Sequence, residues 1–183
     1  MSILGRWMLD ALPPIVAMIG LVAVVSVVLL AWRSRALAWR HALTLTAADA
    51  MLLVSLGGIA LLTLGQPIHA QPDRVNLVPF RDQIWAVQGL VDPSLATAML
   101  IGNVLLFVPL GLALAIRFPG RGAWVLVAVA VGVSFAVEAT QAVMHMGRLA
   151  DVTDVLTNAV GAALGVWFGR AIRLLGRPRQ WRY

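Results

Sequence analysis

The chain has 183 residues, no cysteine and a formal net charge of +6, with 61% hydrophobic and only 12% charged residues. A soluble domain carries about a quarter charged residues, so this composition excludes an ordinary water-soluble enzyme, and the lack of cysteine excludes disulfides and thiolate metal sites. Lysine is absent, and the arginines fall between the apolar runs, which is a membrane-topology pattern and no sign of a nucleic-acid partner.

Five runs approach or reach the ~20 apolar residues needed to cross a bilayer, which predicts an all-α fold, a polytopic membrane protein of five transmembrane helices. Residues 1–12 read as a short lead with Trp7 at the interface. The first span runs from Pro13 to Trp32. A cleaved signal peptide is the competing reading, but the run is long for one and no small-x-small site precedes Arg33, so a retained helix is expected. Arg33, Arg35, Arg40 and His41 follow as a basic loop, and residues 1–41 form an N-terminal unit.

The second span, about 42–65, carries Asp49 roughly 10 Å inside its start. An ionisable residue at that depth is a functional candidate by default. Here it is expected to bond Thr46 or snorkel toward the Arg40 end, near the opposite membrane face from the polar residues described below, and it is kept out of the site.

Residues 66–96 form one long loop in which Pro67, Pro72, Pro79 and Pro93 forbid a continuous helix. Asn76 to Arg81 reads as a turn between apolar anchors, and Ile84 to Val91 as an interfacial segment with Trp85 as its belt residue. So apolar a loop is expected to pack over the bundle. The third span, about 97–116, holds Asn103 near its start and Pro109 inside it. Arg117 to Gly122 is a tight basic turn, and the fourth span covers 123–145. In the fifth, about 155–172, Gly161, Gly165 and Gly169 recur every four residues, a spacing that lets helix backbones approach closely. The four helices of 42–172 form one transmembrane domain, followed by an Arg-rich tail, 173–183, expected in the cytoplasm.

The chemistry is concentrated between Glu138 and Gly161. Glu138, Gln141 and His145 share one helical face, and Asp151, Asp154, Asn158, Gly161 and Gly165 form a similar stripe on the next helix. Two helices joined by a short loop are antiparallel neighbours, so the stripes are expected to face each other as one polar pocket closing onto a glycine seam. With five spans, ten arginines lie on one side of the membrane and four on the other. The positive-inside rule then gives an outside N-terminus, a cytoplasmic C-terminus and an outward-facing pocket roofed by the Pro-rich loop.

Each residue also has a plainer role. Asp151 could cap the fifth helix, with Asp154 in its first turn; Arg148 could pair with either. Asn103 and Asn158 could simply bridge helices, and His145 could be a solvated end. Capping does not explain Glu138, which at its depth needs an arginine partner or a proton.

Asn76-Leu-Val-Pro-Phe80, Asn103-Val-Leu-Leu-Phe107-Val-Pro109-Leu-Gly111, Glu138-Ala-Thr-Gln141 and the run from Gly147-Arg148 through Asp151, Asp154 and Asn158 to Gly161 together resemble the successive motifs of the VanZ-like membrane proteins. The resemblance covers about residues 45–170 and leaves the first helix as an addition. It implies a multi-pass protein of the bacterial plasma membrane and a connection to glycopeptide (teicoplanin) resistance, with no reaction attached. Two readings follow. In the first, Asn76, Arg81, Asn103, Glu138, Gln141, Arg148, Asp151, Asp154 and Asn158 bind the headgroup of a membrane lipid or lipid-linked envelope precursor, the arginines engaging phosphate or carboxylate. In the second, Glu138, Asp151 and Asp154 catalyse hydrolysis of a lipid-linked substrate. Three carboxylates suit a hard cation, but there is neither a His ligand pair nor a nucleophile–base pair, so no metal and no cofactor is expected. The sequence names no protein partner.

Overall fold

The computed structural model describes the backbone of residues 3–64, 75–144 and 150–175, and the side chains of 12–63, 75–143 and 150–175. His145, Arg148, the first part of the long loop with Arg74, and the arginines beyond Leu175 lie outside the described residues.

Five helices are long and apolar enough to cross a membrane, and their cores coincide with the five expected spans. They are α1 (Ile3–Arg33), α2 (Trp39–Leu64), α4 (Pro93–Arg117), α5 (Ala123–Met144) and α6 (Val152–Leu175). Three short elements complete the described chain and leave the expected all-α class in place. The short helix α3 (Arg81–Val87) lies in the long loop, and the two-residue strands β1 (Val75–Asn76) and β2 (Ala150–Asp151) pair in parallel, Val75 opposite Ala150 and Asn76 opposite Asp151. The first helix starts earlier than expected and continues through Pro13 and Pro14. Each proline removes one helical hydrogen bond, and the remaining bonds carry the helix past them.

Helix α4 shows how sequence sets a boundary. Asp92 is its N-cap, accepting from the Ser94 amide, and Pro93 follows where no N–H is needed. The Ser94 hydroxyl, and then its amide, hold the Asp92 carboxyl below the usual carboxylate range. Pro109 lies within the helix, as expected.

The tightest pair is α4 with α6. Gly161 lies against the Val104 carbonyl, Gly165 against the Val108 carbonyl and Gly169 against Leu112 and Ala115, while Gly111 of α4 abuts the Ala162 carbonyl. Positions rise together along both helices, so α4 and α6 run parallel. The glycine seam is therefore a packing feature, as its spacing predicts, but its partner is α4 and not the adjacent α5. Around it sits a core of Phe107, Leu110 and Leu114 with Ile59, Leu126, Ala130, Ala162 and Val166.

Asp49 near the start of α2 meets Arg117 at the end of α4, so these two are antiparallel. Helix α1 packs on α2, where Gly57 meets the Met18 side chain, and its membrane-spanning window is otherwise unburied. The bundle thus has two ends. One collects Thr63, Asn103, Glu138, Asp154 and the β1–β2 pair; the other collects the arginines that close α1, α4 and α6. Exposed apolar side chains such as Val27, Leu105, Phe135 and Trp167 cover the flanks between them, the surface expected of helices that face lipid.

Candidate functional site

The polar cluster is built on the first turn of α6. Asp151 is the residue before the helix and its Oδ1 accepts from the Thr153 amide at 2.7 Å, so the capping role holds. Its Oδ2 accepts from Asn76 Nδ2 at 2.8 Å. Asn76, which is buried, also accepts from the Val78 amide at 3.1 Å and donates to the Val78 carbonyl at 3.3 Å. This turn delivers Phe80, in the left-handed region at φ 57, so that its amide donates to Thr153 Oγ at 2.9 Å. The loop thereby donates to two side-chain acceptors at a helix start, Asp151 Oδ2 and Thr153 Oγ, and the expected packing over the bundle is realised here and where Gln83 donates to the Ala96 carbonyl.

Beneath this cap, three helices contribute. Glu138 of α5, 8% exposed, accepts from the Asp151 amide at 2.9 Å. Asp154 of α6 accepts from Asn103 of α4 at 2.6 Å. Asn158 of α6 donates to Ser134 of α5 at 2.9 Å, and its own Oδ1 is buried with no hydrogen-bond partner among the described residues. Ser134 and Glu138 are one turn apart on α5, as Asn158 and Asp154 are on α6, so antiparallel packing sets Glu138 and Asp154 at one level. The expected two-helix arrangement is thus a three-helix cluster, to which α5 contributes Ser134 and Glu138 and α4 contributes Asn103.

The structure brings together Asn76, Asn103, Glu138, Asp151, Asp154 and Asn158. Gln141 is buried but turns to α2, donating to the Thr63 carbonyl at 2.8 Å. Arg81 stands at the rim, one residue beyond the Phe80–Thr153 bond. Its guanidinium lies 4.6 Å from the Trp85 ring centroid, a cation–π distance. Asp82 is 3.7 Å from its Nε, too far for a hydrogen bond, and that buried nitrogen has no hydrogen-bond partner among the described residues. Arg148 lies outside the described residues.

Three members were not legible beforehand. Ser134 could have been found by extending the Glu138 stripe back one turn. Thr153 and Thr157, both buried, carried no signal beyond being small polar residues beside a carboxylate. Asp49 turns to the basic end of the bundle, as expected, but its partners come from two other helices. Its Oδ1 accepts from Arg117 Nε at 2.7 Å and its Oδ2 from Arg33 at 2.5 Å, while Thr46 accepts from Arg33 at 3.2 Å. It does not bond Thr46, and at the Arg40 end of its helix, where it was expected, it clamps three helices opposite the cluster.

Chemically, the cluster offers carboxylate and amide groups above a buried acceptor, with a stacked guanidinium at its edge. Asp151 has both oxygens committed to holding the cap and the loop, which suits a structural post better than a proton-transfer group. Among the described residues no three His, Asp or Glu side chains are arranged to hold a metal ion.

A bundle of five apolar helices closed at one end by this polar cluster defines a multi-pass helical membrane protein. The VanZ/LLP1 family matches residues 22–173, most of the chain, and the protein belongs to that family. The match begins within α1, earlier than the recognisable motifs, so the second half of that helix falls inside the family region. No curated protein and no solved structure matches the chain.

Proposed function

We propose that the polar end faces the outside of a bacterial plasma membrane, binds the headgroup of a cell-envelope lipid or lipid-linked precursor, and thereby contributes to tolerance of glycopeptides such as teicoplanin. The orientation rests on the excess of arginine at the other end. The observation that carries the binding is Arg81, a guanidinium stacked on Trp85 whose Nε has no hydrogen-bond partner among the described residues. Such a fork matches a phosphate or carboxylate bidentately, and Arg148 is its natural second partner. Asn103, Asp154 and Asn158 would meet hydroxyl and amide groups of the ligand; Asn76, Glu138 and Asp151 hold the shape.

Arg81→Gln tests this in a glycopeptide-sensitive host expressing the protein. The variant is expected to reach the membrane in normal amount and to lose the protein-dependent rise in teicoplanin tolerance and the envelope lipid that co-purifies in detergent. An unchanged tolerance and lipid profile at equal abundance would overturn the reading.

A further inference from the structure

The end of the bundle opposite the polar cluster has its own unassigned chemistry. Seven described arginines, Arg33, Arg35, Arg40, Arg117, Arg121, Arg170 and Arg173, lie at it, and among the described residues Asp49 is the acidic one there. Two of the seven share that one carboxylate, Arg117 through Nε and Arg33 through a terminal nitrogen, so the clamp keeps an excess positive charge in a partly buried place. Arg117, its side chain 32% exposed, donates through Nε alone among the described residues. Its two terminal amino groups, the part of the fork that matches two phosphate oxygens, meet no described protein acceptor, and the ring of Phe118 holds the guanidinium carbon at 5.1 Å.

Below Arg117, between α2 and α4, runs an open groove of about 450 Å³ lined by Met51, Val54, Gly58, Leu105, Leu106 and Pro109 among others. It begins beside Asp49, since Ala50 is also in its wall. By helical rise Pro109 and Leu105 lie about 12 and 18 Å along α4 from Arg117. The half-thickness of a bilayer core is about 15 Å, so the groove runs through the acyl-chain depth of the leaflet whose headgroups meet Arg117 as far as the bilayer midplane. Trp32, Trp39 and Trp124 are all exposed at this same end and mark the headgroup level.

We infer that this face is a binding site for one anionic phospholipid, its phosphate held by Arg117 with Arg33 on the same carboxylate, and one acyl chain in the α2–α4 groove. Charge selects the occupant. A net positive clamp with a free guanidinium fork favours a headgroup carrying net negative charge over a zwitterion, and the apolar groove favours a diacyl lipid over a soluble phosphate. The site is at the other end from the polar cluster and stands whether or not that cluster binds an envelope precursor.

The test is a titration of the full-length protein in detergent with phosphatidylglycerol or phosphatidylcholine, read by native mass spectrometry. Wild type is expected to prefer phosphatidylglycerol by about fivefold or more, the ratio for about 1 kcal/mol per arginine near a headgroup. Arg117→Gln should remove the preference. Gly58→Phe supplies a second variant, because Gly58 lines the groove and a Cβ there meets nothing within 4 Å, so the side chain starts into open space and the ring is expected to occupy the groove. It should weaken both lipids while leaving the melting temperature unchanged. Equal binding of the two lipids by wild type, undiminished binding by Gly58→Phe, or displacement of phosphatidylglycerol by millimolar inorganic phosphate would each overturn the inference.

Discussion

Gly165→Ala puts the α4–α6 seam to a quantitative trial. A Cβ at Gly165 would collide with the Val108 carbonyl oxygen and lie 2.7 Å from the Leu112 amide nitrogen. Both are backbone atoms of the neighbouring helix, so no rotamer change relieves the contact and the helices must part. Parting by even 0.5–1 Å forfeits about a quarter to a half of the dispersion energy of each atom pair along the seam, and overpacking of this kind costs about 1–3 kcal/mol. Against it stands the helix-propensity gain of alanine over glycine, about 0.5–1 kcal/mol. The clash wins, and a net loss of about 1 kcal/mol is expected. Gly132→Ala on α5 is the control, because its Cβ meets nothing within 4 Å; only the propensity gain remains there, so this variant should be as stable as wild type or slightly more so. Thermal unfolding in a mild detergent reads both signs. A Gly165→Ala protein as stable as Gly132→Ala would show that the helices are not in van der Waals contact along this line.

Asp49→Asn leaves two arginines without their shared carboxylate; with side chains 10–32% exposed the cost falls below that of a fully buried pair, at about 1–2 kcal/mol. It should nevertheless leave any glycopeptide tolerance near wild type at equal abundance, because it lies at the far end from the polar cluster. Asn76→Ala removes the link to Asp151 and the Val78 turn together, and hydrogen exchange at Val78 and Phe80 should accelerate by about tenfold, the ratio for about 1.4 kcal/mol of lost hydrogen bonding; unchanged protection would mean that the β1–β2 pair holds the loop by itself. In this cysteine-free chain, Val87→Cys on α3 should react with an impermeant thiol reagent in intact cells and Arg35→Cys only after permeabilisation; the reverse pattern would invert the proposed orientation.

The five spans were readable because lipid leaves the backbone no alternative to helix, and composition alone marks each run. The Asp151 cap and the glycine spacing were readable because both are local devices within a few residues. What escaped was adjacency. Helical periodicity tells which side chains share a face but not which helix that face meets, and chain neighbours were expected to be closest partners. Asn103 and Asp154 are 51 residues apart and Gln141 and the Thr63 carbonyl 78 apart, so nothing in either segment announces the other. The same limit hid the Asp49 clamp, whose partners lie 16 and 68 residues away. Arg81 was singled out for its charge, but its stacking on Trp85 depends on the turn of α3, which the prolines around it obscured.

The seam between α4 and α6 also bears on how the protein is made. Helix α4 emerges well before its closest partner, with α5 and the following loop still to be synthesised. During that interval Gly111 has no opposing backbone, Asn103 has no carboxylate to bond, and Pro109 weakens the same helix. The nascent α4 must therefore wait, tethered by its contacts to α2 and by the Asp49–Arg117 pair, until α6 arrives and the two lock side by side. Insertion of α6 is then the step that commits the bundle, and the start of that same helix organises the polar cluster. A chain stalled before it would hold helices in the bilayer but no site, so completion of folding and appearance of the site would be one event.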